Sequence, residues 1–246
     1  MEASETWQRD DTDLFIAYGD AFVPRRAEQI GAVVDLVADL PSRRVLDLCC
    51  GQGLLSEAYL RRYPDGRVTL LDGSREMLDD ALARLADHAD RVTTVQARIE
   101  DTSWRRQGAF GGVFSSLAVH HLDGPGKQVL YRDICSLLEP GGVFAMADLV
   151  EPRGAKARTL AGDHWEAGVA AASREAFGDD RAVEAFTRAE WNYYRLPGPD
   201  PVDQPSSVVE HLTWLTEAGF VDVDVVWLYA GHAIFTARKP APPPGE

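Results

Sequence analysis

Residues 45–53 read V-L-D-L-C-C-G-Q-G, and nineteen residues beyond Gly53 a second apolar run, 67–71, is followed by Asp72. The first stretch is an apolar strand (Val45, Leu46, Leu48) running into a glycine loop that opens a helix near Leu54. Glycine at 51 and 53 lets a ligand approach the main chain closely, and the N–H groups of a starting helix favour an anionic group there. A carboxylate at the tip of the second strand suits the two hydroxyls of a ribose. The loop alone says little. Loop and acid at this separation describe a nucleoside-binding strand–loop–helix–strand unit.

The flanking sequence extends the pattern in both directions. Upstream, Ile30, Val33, Val34 and Val37 follow i, i+3, i+4, i+7, which predicts an amphipathic helix over 24–39 with Pro24 in its first turn. Downstream, a helix over 54–63 stops before Pro64-Asp65-Gly66. Ser74 is placed to cap a helix striped by Met77, Leu78, Ala81, Leu82 and Leu85. Segments 92–96 and 110–116 read as strands. Val129, Leu130, Ile134, Leu137 and Leu138 stripe another helix, and Glu139-Pro140-Gly141-Gly142 reads as a stop and turn before a strand over 143–149. Strands alternating with helices of this length specify a parallel sheet covered on both faces.

Beyond residue 154 the rhythm breaks into Ala-rich helical stretches carrying Leu160, Trp165, Val169, Phe177, Val183, Phe186, Trp191 and Tyr194, then a loop over 196–205 with four prolines. Ser207 and Glu210 form a capping-box pattern, and Gly219 stands where that helix would stop. Two last strands, 221–229 and 233–237, are joined by a few residues around Gly231, and so short a connection permits only antiparallel pairing. The expected fold is α/β: a doubly wound, mostly parallel seven-stranded sheet with an antiparallel C-terminal hairpin. The expected organisation is an N-terminal helical segment (1–40), an α/β core binding the cofactor (41–150), a helical lid insertion (151–205), a C-terminal helix and hairpin completing the core (206–239) and a disordered tail (240–246).

Composition narrows the function classes. The chain of 246 residues is 45% apolar, enough to fill a sizeable core. Its net charge of −14, with only three lysines and arginines at most in pairs, argues against nucleic acid as a partner. The three cysteines, Cys49, Cys50 and Cys135, show no C-x-x-C spacing, so neither a disulfide framework nor a metal site is expected. No apolar stretch reaches the roughly 18–20 residues of a membrane span, so no membrane insertion is expected. Residues 1–13 are acidic and polar, unlike a secretory signal, so the expected location is cytoplasmic.

The motifs together resemble the class I S-adenosylmethionine-dependent methyltransferases, with their Rossmann-like fold. Residues 45–53 resemble the first motif of that family, Leu70-Leu71-Asp72 the second, 96–101 (Q-A-R-I-E-D) the adenine-side segment, 110–122 (ending S-S-L-A-V-H-H-L) the fourth, and 138–142 the turn before the fifth strand. Within the class the chain looks closest to small-molecule enzymes such as the quinone-biosynthesis C-methyltransferases. The resemblance implies S-adenosyl-L-methionine as cofactor and a small-molecule acceptor. It implies that Asp47 orients the methionine end, that Cys49, Gly51 and Gly53 line it by their backbone, and that Asp72 accepts the ribose hydroxyls. Gly73 and Met77 would lie beside the adenine, Ile99 would offer it a backbone N–H with Glu100 or Asp101 nearby, and Ser115, Ser116 and Leu117 would lie under the amino group and sulfonium. Three positions depart from the family pattern: Cys49 replaces the usual first loop glycine, Arg98 a common adenine-binding acid, and Gly111 a common aspartate.

Methyl transfer needs mainly that nucleophile and methyl be held in line, so no obligatory catalytic constellation is expected. His120 and His121, at the carboxyl edge of the fourth strand, are the candidate proton acceptors; the bland reading makes them cavity wall or helix cap. Trp165 and Trp191 read as lid core, His164 and 192–194 as lid residues beside the acceptor pocket. Tyr18 and Arg25 or Arg26 either fold over the cofactor or stand on a solvated helix. Two other functions fit part of the pattern. An NAD-dependent dehydrogenase would also use Gly51-x-Gly53 and Asp72, but Ser56 stands at its third glycine position. A protein that binds S-adenosylmethionine without transferring methyl would need no base.

Overall fold

The computed structural model describes residues 9–106 and 108–242. Along the described chain run α1 (Arg9–Phe22), α2 (Arg26–Leu36), β1 (Arg44–Leu48), α3 (Leu54–Arg62), β2 (Arg67–Asp72), α4 (Arg75–Arg84), β3 (Val92–Gln96), β4 (Phe110–Ser116), α5 (Gly124–Leu137), β5 (Leu138–Leu149), α6 (Ala155–Phe177), α7 (Arg181–Arg188), α8 (Val208–Glu217), β6 (Val221–Tyr229) and β7 (His232–Arg238). They form one seven-stranded sheet of order β3-β2-β1-β4-β5-β7-β6. Strands β1 to β5 are mutually parallel, and β7 runs antiparallel to both β5 and β6. The sheet is the expected doubly wound one with its antiparallel ending. Its order reverses beside β1, whose neighbours are β2 and β4, so a crevice opens at the carboxyl ends of these strands, where ligands of such sheets bind.

The apolar runs explain the layers. Leu46 and Leu48 of β1 pack with α5 and α8 on one face, and Val45 packs with α2 and α3 on the other; all three are almost wholly buried. Each such side chain stabilises the fold by about 1.5–3 kcal/mol. Gly111 answers a steric demand: a Cβ there would stand 1.9 Å from the Ser42 carbonyl oxygen, so the aspartate common at this position has no room.

Local boundaries differ from expectation at two places. The helix expected over 24–39 is shorter, because Arg25 adopts a left-handed conformation (φ 52°) that turns the chain from α1 into α2 and leaves Pro24 outside it. The expected turn at 139–142 is taken into β5 as an irregularity, with Gly141 at φ 80° and the pairing with β4 shifting between Phe110 and Gly112. Ser74 and Ser207 cap α4 and α8 as read, the latter in a complete capping box with Glu210.

A third apolar cluster joins distant parts of the chain: Phe22 of α1, Trp165 of α6, Phe186 of α7, and Tyr194. Trp165 Nε1 donates to the Phe22 carbonyl at 2.7 Å, so α1 and the 154–195 segment form one cap. Two attachments hold this cap to the sheet. The Tyr194 hydroxyl lies 2.6 Å from the Val150 carbonyl and 2.7 Å from that of Gly231, in space that a Cβ on Gly231 would fill. Further on, the Gln204 N–H donates to the His120 carbonyl, and the buried Lys127 ammonium donates to the Gln204 carbonyl and to Ser206 Oγ. Of the tail expected at 240–246, residues 243–246 lie outside the described residues, as do 1–8.

Candidate active site

A cavity of about 610 Å³ occupies the crevice at the carboxyl ends of β1, β2 and β4, within the usual range for small-molecule sites. Its floor is the loop after β1, one wall carries Asp72, Gly73 and Met77, and its roof includes Phe15, Trp165 and Trp191 of the cap.

Asp72 and the glycine loop meet directly. One Asp72 oxygen accepts the Gly51 N–H at 2.9 Å and the other the Ser74 N–H at 2.8 Å. A carboxylate offers about four acceptor sites, so capacity remains for hydroxyl donors in the cavity. Burial pushes this carboxyl upward from its ordinary range, while its backbone donors work in the other direction. Asp47, at the end of β1, is almost fully buried and accepts the Ser56 hydroxyl at 2.5 Å. Burial, with the nearby Asp72 charge adding to it, pushes Asp47 up to about 7.

The loop itself is strained where glycine is missing. Cys49 has φ 56° and Gly51 φ 49°, so Cys49 occupies a backbone conformation that L side chains rarely adopt. Leu117, after the adjacent β4, shares that feature at φ 54°. Both line the cavity, so strain is concentrated at its floor. Burial pushes the Cys49 and Cys50 thiols well up, which keeps them protonated.

The other sequence candidates divide. Ile99, Glu100 and Arg98 line the cavity beyond Gly73, and Ser116 lines it beside Leu117. Ser115 lies outside the cavity wall; its hydroxyl is buried and donates to the Leu48 carbonyl at 2.8 Å, tying β4 to β1. Gly53 also stands back from the wall, at φ 76° as the residue before α3, with Ala81 of α4 close against it. Arg26 reaches the cavity, whereas the Arg25 guanidinium lies over the Tyr229 ring. His164 stacks on Tyr229, and Tyr18 on Phe22.

At the opposite wall the two histidines meet two carboxylates. His120 Nδ1 lies 2.5 Å from Asp148 Oδ1, and the His120 N–H donates to Asp148 Oδ2 at 2.9 Å. His120 Nε2 lies 3.4 Å from Asp203 Oδ1, and His121 Nδ1 lies 3.1 Å from the same oxygen. Burial alone would lower His120, but the Asp148 and Asp203 charges outweigh it and push the imidazole up to about 10. Burial likewise opposes ionisation of Asp148 and Asp203, and the facing imidazoles override it, holding both below the ordinary carboxylate range. Sequence reasoning singled out neither acid. Asp148 had a signal, an acid inside the apolar run of β5; Asp203, in a proline-rich loop 82 residues after His121, had none.

Comparison with known proteins finds methyltransferases. Residues 45–142 match the family model described as "Methyltransferase domain". A trans-aconitate 2-methyltransferase of Azoarcus sp. is 30% identical over 200 residues, covering 79% of this chain and 68% of that protein. A ubiquinone biosynthesis O-methyltransferase of Xanthomonas campestris pv. campestris is 31% identical over 145 residues, 59% of this chain and 57% of that one. An uncharacterized methyltransferase of Synechocystis sp. is 35% identical over 112 residues, 46% of this chain and 50% of that protein. The chain thus spans about half the length of several curated relatives it matches. Among solved structures, an O-methyltransferase family protein from Burkholderia thailandensis shares the fold with a TM-score of 0.69 at 17% identity, over 96% of this chain and 64% of that one.

Proposed function

The chain belongs to the class I S-adenosylmethionine-dependent methyltransferases, and on that premise we propose that it transfers a methyl group from S-adenosyl-L-methionine to a small organic acceptor held in the 610 Å³ cavity. The observation that carries the reading is the Asp72 carboxylate locked onto the Gly51 N–H at the cavity floor.

The residues present fit that cofactor. Asp72 retains acceptor capacity for the ribose hydroxyls, between Gly73 and Met77 on the adenine side. Asp47 is a buried acid short of a counter-charge, and the cofactor's ammonium would supply one. The floor carries no cationic side chain to oppose a sulfonium: Cys49, Gly51 and Leu117 supply backbone and neutral groups. Arg26, at the start of α2, lines the cavity while paired with Asp20 at 3.3 Å, and its remaining N–H groups would serve the methionine carboxylate. Bound S-adenosylmethionine supplies a methyl group on a positively charged sulfur, open to in-line displacement. The protein's contribution is to bind and align.

Proton removal, where the acceptor needs it, falls to the group formed by His120, His121 and Asp203. His120 is held cationic between two carboxylates, so it positions Asp203 and is not itself the base in this arrangement. A small acceptor is supported by the enclosed cavity, by the acidic chain and by relatives named for trans-aconitate and ubiquinone biosynthesis. An intracellular location accords with this reading. Thermal-shift titration with S-adenosylhomocysteine and with NADH tests the cofactor: a rise with the first alone is expected, and a rise with NADH alone overturns the reading. Release of labelled S-adenosylhomocysteine with an acceptor panel then tests transfer.

A further inference from the structure

We propose that His120, His121 and Asp203 bind a divalent transition-metal ion of the zinc class at the wall of the cavity. The proposal stands on the geometry of these three side chains and is independent of the methyl-transfer reading. One donor atom from each lies within 4.8 Å of the others. The two distances to Asp203 Oδ1, 3.4 Å from His120 Nε2 and 3.1 Å from His121 Nδ1, are long for charge-assisted hydrogen bonds, which run at about 2.7–2.9 Å. Metal–ligand bonds of about 2.0–2.2 Å at tetrahedral angles place neighbouring donors about 3.3–3.6 Å apart; the His120 separation falls in that range, and the His121 separation is shorter, so the Asp203 oxygen and the His121 ring would have to part slightly to admit an ion. Both imidazoles thus point at one carboxylate oxygen.

The surroundings support the same assignment. The remaining nitrogen of His120, Nδ1, lies 2.5 Å from the fully buried Asp148, which also accepts the backbone N–H groups of His120 and Leu149. A metal-bound histidine characteristically donates its second N–H to such a carboxylate, which fixes the ring and leaves the other nitrogen to the metal. Asp148 therefore acts as a positioning residue. The donors come from two different parts of the chain, the end of β4 and the 196–205 loop, and that loop is separately pinned by Lys127 through Gln204 and Ser206. Asp203 is thus held in place by more than its contacts with the histidines. Two nitrogen donors and one oxygen favour zinc-class ions over magnesium or calcium, whose ligands are oxygens.

On binding, the ion takes the place of the proton on His120 Nε2, which leaves to solvent, and His121, whose Nδ1 faces the Asp203 and Val202 oxygens, carries its proton on Nε2 instead. All three ligands line the cavity, so the remaining coordination position faces it and takes an oxygen donor: water, or a hydroxyl or carboxylate of a small molecule bound there.

The test is calorimetric titration of tag-free, chelator-treated full-length protein with ZnCl₂, and in parallel with MgCl₂, without cofactor or acceptor. One equivalent of Zn²⁺ binding at micromolar or tighter dissociation constant is expected, with Mg²⁺ at least tenfold weaker. Asp203→Asn and His121→Ala should each weaken Zn²⁺ binding at least tenfold. Absence of saturable Zn²⁺ binding, or wild-type affinity in the variants, overturns the proposal. Should His121→Ala not fold by circular dichroism, the isosteric Asp203→Asn decides. Binding of S-adenosylhomocysteine, measured on the same samples, reports on the cofactor site alone, so failure of the metal site leaves the methyl-transfer reading standing.

Discussion

Asp72 accepts the Gly51 N–H at 2.9 Å, so the acid at the tip of β2 and the bend after β1 are one structural unit. Asp72→Ala should weaken S-adenosylhomocysteine binding at least tenfold by calorimetry, since charge-assisted hydrogen bonds are worth about 1.5–3 kcal/mol each. Asp72→Asn, which keeps one acceptor oxygen, should fall between the alanine variant and the parent. Undiminished affinity in the alanine variant would refute the assigned role.

Asp47 makes cofactor binding depend on pH. Its carboxyl, raised to about 7 chiefly by burial, is largely protonated at pH 6 and ionised at pH 8. An ammonium partner requires the ionised form, so affinity for S-adenosylhomocysteine should rise from pH 6 to pH 8. Asp47→Asn should bind more weakly and lose that rise. A parallel pH profile in parent and variant would assign the dependence elsewhere.

His211 should make the fold sensitive to acid. It is buried, its Nδ1 lies 2.6 Å from the Tyr131 hydroxyl, and its Nε2 has no hydrogen-bond partner among the described residues. Burial lowers it to about 4 from an ordinary 6.5. The unfolded chain therefore binds the proton first: the neutral form's contribution is complete above pH 6.5 and is lost as pH falls towards 4. The loss is on the order of 3 kcal/mol, and His232 is depressed in the same way. His211→Gln should flatten the stability curve over this window by up to about 1.4 kcal/mol per pH unit in urea denaturation. Comparing variant with parent isolates His211 from Asp47, whose raised value acts in the opposite sense over the same range. An unchanged slope would contradict the assignment.

Trp165→Ala should destabilise the protein by about 3–5 kcal/mol, because it empties the centre of the cap and orphans the Phe22 carbonyl. Proteolysis at the α1–α2 junction should accelerate together with it. Loss of stability without faster cleavage there would show that α1 stays docked by other contacts.

The sheet was readable because each buried strand is a short apolar run with turn residues at both ends. The boundaries of β3 and β4 expected from those runs coincide with the observed ones. The cofactor-side wall was readable too, since Asp47, Gly51 and Asp72 lie close in sequence within one strand–loop–helix–strand unit. What escaped were relationships between distant segments. Lys127 looked like one of three scattered lysines, yet it is buried and fastens a loop 77 residues away. Asp203 acquires its partners only when that loop crosses the end of β4. Nothing in local periodicity reports that α1 docks on α6, because the contact between Phe22 and Trp165 spans 143 residues.

Tyr194 occupies the space above Gly231, where any side chain would displace it. That rivet fixes the rear of the roof to the hairpin turn, and the Lys127 clasp fixes its flank. Neither fastening involves the first helix, which contributes Thr12 and Phe15 to the chamber wall. Substitutions at Thr12 or Phe15 would therefore reshape one side of the chamber while leaving the Asp72 wall as it is.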